Sequence, residues 1–240
     1  MIDIVIPAYN EEKKIERAIR SALNQECDNF RVCVYDDWST DNTEDVILSL
    51  LGTDERLFYI KTTEHYRSPT GIYYTHSLST TKDTIIVHLD ADDYFYNSKV
   101  LQTVAQVYKE HDVWMTYGQY VTNKGVMGFC KPIEDTNRYR YQRELCVSHL
   151  RTHKAGLYHH INPEDLTNDD GNFYYPASDL SFVYPMVELC GKEKIYFIDD
   201  ILYIYDTSDP YCKTNEDFKK LKRNVIDIKN KPQYKPIQSL

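Results

Sequence analysis

The amino-terminal half of the chain alternates short apolar runs with segments of helical periodicity, and this alternation constrains the fold more than any other feature. Residues 2–6 form a mostly β-branched apolar run that Pro7 stops, which is typical of a buried strand. Further strands are predicted at 30–35, 57–61 and 84–89, and helices at 11–25, 43–51, 71–81 and 98–110. Strands and helices in this order predict an α/β protein with a mostly parallel sheet flanked by helices.

The second half of the chain is less regular. A strand is predicted at 113–120, a helix at 180–189 and strand-like stretches within 195–205. Gly191 is expected to end the helix, and residues 123–177 are rich in loop formers. Residues 213–235 hold eight Lys or Arg against three Asp or Glu, with apolar residues at helical spacing. We expect one domain over 1–212, followed by a basic C-terminal helix and tail at 213–240. The charged helix face is interpreted as solvated, with contact to acidic lipid or to a partner as the alternative.

Composition excludes several classes of protein. With 42% hydrophobic and 27% charged residues, the chain can bury a core and is not expected to be disordered. Its net charge of -9 argues against nucleic acid binding, which needs clustered Lys and Arg. Neither an apolar run of about 20 residues nor a signal peptide is found, and no C-x-x-C pair occurs among the cysteines. We therefore expect a cytoplasmic protein with no transmembrane segment.

Three polar clusters directly follow predicted strands. They are P-A-Y-N at 7–10, D-D at 36–37 and D-A-D-D at 90–93. In an open parallel sheet the ligand lies beyond the carboxyl ends of the strands, which share one edge. The three clusters are therefore expected to form one site.

Asp90, Asp92 and Asp93 place three carboxylates within four residues, which repel one another. A divalent cation relieves that repulsion, and Mg²⁺ or Mn²⁺ is commonly held by one or two carboxylates together with substrate phosphates. An isolated D-x-D is more often a solvated turn or a helix cap. Its position at the end of a strand, beside the other clusters, favours a metal site.

The other two clusters have both a ligand-binding and a structural interpretation. A carboxylate at 36–37 can accept a hydrogen bond from a base or a ribose, whereas residues 39–41 also favour turns and caps. Tyr9 can stack on a base or belong to the core. Asn10 is a plausible N-cap of the first helix.

Two features of the second half suggest chemistry. Asp179 is either the N-cap of the following helix or a general base for an acceptor hydroxyl, and both roles are compatible. His149, Arg151, His153 and Lys154 are either a polar surface loop or a mobile flap whose cations offset the charge of a departing diphosphate. Histidine is not favoured as a metal ligand.

The chain resembles family 2 glycosyltransferases. The matching stretches are I-V-I-P-A-Y-N-E at 4–11, A-L-N-Q at 22–25, D-D-W-S-T-D at 36–41 and L-D-A-D-D at 89–93, in the same order and spacing. The resemblance is strong over 1–110 and fainter over 140–205. It implies a GT-A fold, in which a single Rossmann-like sheet carries an irregular acceptor-binding second half. Residues 1–110 would then be the nucleotide-sugar half and 111–212 the acceptor half.

The resemblance also implies an activity. The donor would be a nucleotide-diphospho-sugar, with UDP as the expected nucleotide, and the cofactor would be Mn²⁺ or Mg²⁺. The sugar would move with inversion to a hydroxyl of a glycan, a lipid-linked acceptor or a protein. Nucleotide-sugar contacts are implied for Pro7, Tyr9, Glu11, Asp36, Asp37, Arg67, Asp90, Ala91 and Arg151. Asp92 is implied to ligate the metal, and Asp179 to be the catalytic base.

Three positions depart from the family pattern. Trp38 stands where glycine is frequent, so the backbone of that loop is expected to differ. Ser178 replaces the first residue of a usual Glu-Asp pair. No basic or histidine-containing stretch follows residue 205, so a third metal ligand is not expected from that region.

Two other functions remain open. A sugar nucleotidyltransferase shares the sheet and the metal, but it needs a Gly-rich, Arg-containing loop after the first strand, where residues 7–10 read P-A-Y-N. The other alternative is a catalytically silent module that binds a nucleotide-sugar. The presence of Asp90, Asp92 and Asp179 together argues against it, because binding alone does not require all three. The sequence does not specify the sugar, the acceptor or the oligomeric state.

Overall fold

The computed structural model describes residues 1–67, 81–142, 144–209 and 214–240. Its strands are β1 (Ile2–Ala8), β2 (Phe30–Asp36), β3 (Leu57–Lys61), β4 (Ile85–His88), β5 (Tyr94–Phe95), β6 (Met115–Thr122), β7 (Arg151–Lys154) and β8 (Ile195–Tyr205). Its α-helices are α1 (Ile15–Leu23), α2 (Thr43–Leu50), α3 (Val100–Glu110), α4 (Ala155–Tyr158), α5 (Ser178–Cys190) and α6 (Asn215–Asn230). Two 3-10 helices cover Thr136–Tyr141 and Pro163–Leu166.

The described strands form one sheet in the order β3-β2-β1-β4-β7-β6-β8-β5. In the amino-terminal half, β1 pairs in parallel with β2 and β4, and β2 pairs in parallel with β3, as predicted. Ile4 and Ile6 join the main core, whereas Val5 between them joins a second cluster on the opposite face. Burial on both faces explains the continuous apolar sequence of β1. The α/β fold is confirmed. The helix predicted at 71–81 falls, up to residue 80, outside the described residues.

The strand β7 was not predicted. It lies between β4 and β6 and is antiparallel to both, so the central part of the sheet is mixed. Its residues Arg151, Thr152 and His153 are buried. Both interpretations of the cluster at 149–154, as a surface loop and as a mobile flap, are therefore wrong. The backbone of this polar stretch is instead held by ladder hydrogen bonds on both sides.

The helix α5 is longer than predicted and is buried over most of its length. Gly191 ends it with φ 58°, as predicted, in the left-handed region that glycine adopts at low cost. Asp179 is not the N-cap. Ala177 occupies that position, and Asp179 lies in the first helical turn.

Arg140, in the 3-10 helix Thr136–Tyr141, links α5 to the end of α6 through a buried ion pair and a backbone hydrogen bond. Nε and Nη2 of Arg140 each donate to the carboxylate of Glu188 at 2.7 Å, and Nη1 of Arg140 donates to the carbonyl of Lys231 at 2.8 Å. The backbone N–H of Tyr234 donates to the same carboxylate at 3.0 Å. Among the described helices, none has both the length and the apolar character needed to cross a bilayer.

Candidate active site

A cavity of about 940 Å³ lies at the carboxyl ends of β1, β2 and β4. The sequence-predicted site residues that line it are Pro7, Tyr9, Glu11, Asp37, Arg67, Asp90, Ala91, Asp92, Arg151 and Asp179. The three clusters meet because the parallel strands that carry them end at one edge, as expected from the sheet topology.

Asp36 is the predicted site residue that does not line the cavity. Its side chain is fully buried, and it accepts hydrogen bonds from the backbone N–H of Ser39 at 2.8 Å and from the hydroxyl of Tyr59 at 3.0 Å. Asp36 therefore holds the loop after β2 from beneath. The expectation that Asp36 contacts the nucleotide is therefore wrong, and Asp36 instead stabilises the loop that follows β2.

Asp37 orders the neighbouring segment 62–67. Its carboxylate accepts from the backbone N–H of Tyr66 at 2.9 Å and of Arg67 at 2.7 Å, and it lies 3.0 Å from Nδ1 of His65. The ring of His65 stacks on Tyr9 at 3.9 Å between centroids. Tyr9 is 42% exposed, so its interpretation as a core residue is wrong. The Tyr9–His65 pair forms an aromatic wall of the cavity. The sequence does not indicate His65 as a residue of this site.

The loops after β1 and β2 are bound to each other. The N–H of Asn10 donates to Oγ of Ser39 at 2.9 Å, and the N–H of Thr40 donates to Oδ1 of Asn10 at 2.8 Å. Asn10 is therefore not the N-cap of α1, a position that Lys14 takes. Trp38 has φ 64°, in the left-handed region that favours glycine. The backbone at this position is therefore one that glycine adopts readily, although a different backbone was expected because the residue is tryptophan.

The three carboxylates of the acidic cluster have different surroundings. Asp93 is fully buried and accepts from the hydroxyl of Tyr203 at 2.8 Å and from the N–H of Asp206 at 2.7 Å. Burial, followed by the charges of Asp90 and Asp92, raises the pKa of Asp93 to about 9. Asp93 thus joins the cluster to the end of β8, while Asp90 and Asp92 face the cavity.

Asp90 and Asp92 present their carboxylates to the cavity, where the side chain of Asp90 is 39% exposed. Burial raises the pKa of Asp90 to about 6, with Arg151 opposing the shift and Asp92 and Asp179 adding to it. Burial also raises the pKa of Asp92 above its usual range, although Lys14 opposes the shift. A cation placed between these carboxylates would therefore be favourable.

His149 supplies a nitrogen donor beside this cluster. Ligand atoms of Asp90, Asp93 and His149 all lie within 4.8 Å of one another, and Nδ1 of His149 is 3.7 Å from Oδ2 of Asp90. Burial, followed by the charge of Arg151, holds the pKa of His149 well below its usual range, so the imidazole is neutral. Carboxylates with a neutral imidazole suit Mn²⁺ and fit Mg²⁺ through their oxygens. The sequence interpretation does not favour histidine as a metal ligand, so this position of His149 is additional to it.

Arg151 and Asp179 form an ion pair in the lining of the same cavity. Nη1 of Arg151 donates to Oδ2 of Asp179 at 3.2 Å, and Nε of Arg151 is buried with no hydrogen-bond partner among the described residues. Burial lowers the pKa of Arg151, but the charges of Asp179 and Asp90 outweigh it and raise the pKa overall. Arg151 is thus a fixed cation between two carboxylates.

The remaining wall of the cavity is largely apolar. It is formed by Leu145, Tyr175, Leu180, Phe182 and Tyr184, with Leu221, Val225 and Lys229 from α6. The sequence does not indicate these residues as part of the site, and Leu145 and Tyr175 lie within 123–177, which lacks a readable period. The apolar spacing within 213–235 was the available signal for α6, whose inner face reaches the cavity.

Solved structures share this fold. A crystal structure of S. aureus TarS 1–349 in complex with UDP-GlcNAc matches with a TM-score of 0.66 at 17% identity, over 95% of this chain and 66% of that chain. Mannosyltransferase PcManGT from Pyrobaculum calidifontis, in complex with GDP-Man and Mn²⁺, matches with a TM-score of 0.62 at 17% identity, over 95% of this chain and 62% of that one. The fold is that of the GT-A glycosyltransferases.

The sequence itself also has relatives. The family model described as "Glycosyl transferase family 2" matches residues 3–162, and the chain belongs to that family. The Escherichia coli enzyme WfgD, a UDP-Glc:alpha-D-GlcNAc-diphosphoundecaprenol beta-1,3-glucosyltransferase, is 30% identical over 130 residues, which are 53% of this chain and 49% of WfgD. An uncharacterized glycosyltransferase of Haemophilus influenzae is 31% identical over 122 residues, 50% of this chain and 47% of that protein. The chain thus spans about half the length of these two relatives.

Proposed function

We propose that the chain transfers a sugar from a nucleotide-diphospho-sugar to a hydroxyl acceptor, with inversion at the anomeric carbon. The observation that carries the proposal is that Asp90, Asp92 and Asp179 all line a single cavity, with the cation of Arg151 acting on both Asp90 and Asp179. Asp90 and Asp92 suit a cation and a diphosphate, and Asp179 suits an acceptor hydroxyl. A nucleotide-sugar half at 1–110 and an acceptor half at 111–212 follow from this division.

The nucleoside would lie against the first two strands. The stacked rings of Tyr9 and His65 offer a face for the base, and Asp37 fixes the segment that carries His65. Pro7, Glu11, Arg67 and Ala91 complete this part of the lining. UDP is the favoured nucleotide, because UDP-GlcNAc is bound by TarS and UDP-Glc is named as the donor of WfgD.

The metal would be held by Asp92, the ligand that the family resemblance implies, beside the group of Asp90, Asp93 and His149, of which Asp92 is not a member. Mn²⁺ or Mg²⁺ bound there would neutralise charge on the diphosphate as it leaves. Arg151 adds a fixed positive charge next to Asp90, which favours an anionic group in the same place. The Mn²⁺ in the PcManGT complex supports this proposal.

The reaction would be a single displacement. Asp179 takes the proton of the acceptor hydroxyl, the acceptor oxygen bonds to the anomeric carbon, and the bond from that carbon to the diphosphate oxygen breaks. Attack from the side opposite the leaving group inverts the carbon. Arg151 holds the carboxylate of Asp179 in place through the 3.2 Å contact.

The acceptor would carry an apolar portion. The wall on the acceptor side presents Leu145, Tyr175, Leu221 and Val225, with Lys229 among them. Aliphatic and aromatic side chains around one cation suit a ligand that joins an apolar chain to an anionic group. Of the three acceptor classes, the lipid-linked one is favoured, and the WfgD acceptor is of that class by its name.

A donor screen tests the proposal. Release of nucleoside diphosphate would be measured from UDP-glucose, UDP-N-acetylglucosamine, UDP-galactose and GDP-mannose with Mn²⁺, since water can serve as a slow acceptor. We expect release from at least one UDP-sugar and an increase in thermal stability with the same donor. A nucleotidyltransferase would instead form nucleotide-sugar from sugar phosphate and nucleoside triphosphate. A silent binding module would be stabilised by the donor without releasing product.

A further inference from the structure

The exposed surface of α6 combines cations with apolar side chains. We call the exposed residues Phe218, Lys219, Lys222, Arg223 and Ile226 the outer face of α6. At 100° per residue they lie on one side of the helix, opposite the buried Asn224 and Ile228. Phe218 is 52% exposed and Ile226 is 62% exposed.

The outer face is electropositive on an acidic protein. Three of its residues are cations, and the segment 213–235 holds eight Lys or Arg against three Asp or Glu in a chain of net charge -9. Glu216 lies 3.8 Å from Lys219 and 3.9 Å from Arg223, but all three side chains are largely exposed, so these contacts are weak. Asp227 accepts a hydrogen bond from Tyr174 and lines a second cavity together with Glu216, Arg223 and Ile226. The cations at the other edge of the outer face are Lys219 and Lys222.

Large apolar side chains flanked by cations on a helix surface match the chemistry of an anionic bilayer interface. The apolar side chains enter the boundary between headgroups and acyl chains, and the cations contact lipid phosphates. A solvated face explains the cations but not the exposure of both Phe218 and Ile226. We propose that the outer face of α6 docks the protein onto an anionic lipid surface.

The position of α6 gives this docking a consequence. Leu221, Val225 and Lys229 of the same helix line the cavity, and their side of the helix adjoins Phe218 and Lys222. The buried contact between Arg140 and Glu188, together with the bond from Arg140 to the carbonyl of Lys231, fixes the end of α6 to the body of the protein. Docking through the outer face therefore brings the apolar wall of the cavity to the membrane surface without detaching the helix.

Vesicle sedimentation tests the proposal and needs neither donor nor metal, so its outcome is independent of the proposed transfer. The full chain would be mixed with phosphatidylcholine vesicles, with or without phosphatidylglycerol, at low and at high salt. We expect sedimentation with the anionic vesicles at low salt and little with phosphatidylcholine alone. The combined variant Lys219→Glu, Lys222→Glu and Arg223→Glu should lower the partition coefficient by about tenfold or more.

Two further variants separate the outer face from overall charge. Lys99→Glu, Lys109→Glu and Lys124→Glu together change the net charge by the same amount at exposed sites elsewhere and should keep most of the partition. Phe218→Ser with Ile226→Ser changes only exposed apolar side chains and should also reduce partition. No sedimentation of the wild type with anionic vesicles would overturn the proposal. Equal loss in the two charge-reversal variants, or no loss in the serine variant, would overturn it as well.

Discussion

Nη1 of Arg151 lies 3.2 Å from Oδ2 of Asp179, and this contact joins the central strand β7 to the first turn of α5. Arg151 is buried, whereas the side chain of Asp179 is 42% exposed to the cavity. A carboxylate held on one side by a rigid cation and open on the other can receive a proton from a ligand without changing its own position. The pair thus connects the mixed part of the sheet to the proposed chemistry.

Asp179→Asn removes the proposed base and keeps the size of the side chain. We expect transfer or donor hydrolysis to fall by about a hundredfold or more, because general base catalysis contributes that much. Binding of UDP should be nearly unchanged, since Asp179 lies on the acceptor side. Asp112→Asn, at an exposed carboxylate paired with Lys194, is the matched control. Full activity of Asp179→Asn would exclude Asp179 as the base.

Asp37→Asn tests the ordering of the nucleoside wall. An amide cannot accept from both the N–H of Tyr66 and the N–H of Arg67, so the segment that stacks His65 on Tyr9 should loosen. We expect the affinity for UDP to fall about tenfold, equivalent to roughly 1.4 kcal/mol. The control is Asp28→Asn, at an exposed carboxylate remote from the cavity. Titration calorimetry would measure both, and equal affinities would show that this segment does not support the nucleotide.

His153 should make the fold sensitive to acid. Burial lowers its pKa from 6.5 to about 4, so the unfolded chain binds a proton at a higher pH than the folded one. The stabilisation is complete above pH 6.5, falls as the pH drops below that value and stops falling below the folded pKa. Between about pH 7.5 and about pH 5.5 this histidine should remove roughly 1.3 kcal/mol from the free energy of unfolding.

Urea unfolding of the wild type and of His153→Gln at these two pH values measures that contribution. The decrease in the free energy of unfolding should be smaller in the variant by the same amount. His160→Gln, at an exposed histidine, should behave like the wild type. Identical pH dependence in the wild type and His153→Gln would contradict the depressed pKa.

Glu188→Ala tests the contact that fastens α6. It leaves the guanidinium of Arg140 buried without its carboxylate, which should lower the free energy of unfolding by about 3–5 kcal/mol. Replacing both partners, as Arg140→Met with Glu188→Leu, should cost considerably less, because no unpaired charge remains. Asp112→Ala breaks an exposed pair and should cost about 1 kcal/mol or less. Equal losses in the single and double variants would show that the ion pair is not the source of the stability.

The amino-terminal half was predictable because its signals are local. Each buried strand reads as an apolar run, and the polar residues that follow β1, β2 and β4 must meet where parallel strands end. The same logic placed Tyr9, Asp37 and Asp90 at one cavity. It failed for Asp36, because two adjacent aspartates at a strand end point to opposite faces and sequence alone does not tell which one faces the ligand.

The second half was less predictable because its elements are defined by distant partners. The strand β7 reads R-T-H-K, and only its pairing with β4 and β6 makes it a strand. With β7 missing from the prediction, His149 could not be placed beside Asp90. In the same way, the basic composition of α6 concealed that Leu221 and Val225 line the cavity.

The most direct measurement is a calorimetric titration of UDP into the full chain with Mn²⁺ and, separately, with EDTA. We expect that UDP binds with Mn²⁺, that EDTA weakens the affinity by about tenfold or more, and that Asp92→Asn removes the difference between the two conditions. Asp112→Asn should retain it. If UDP produced no binding heat and no thermal stabilisation in either condition, the proposed UDP site would be contradicted. If UDP bound equally well with Mn²⁺ and with EDTA, the metal assigned to Asp92 would be contradicted.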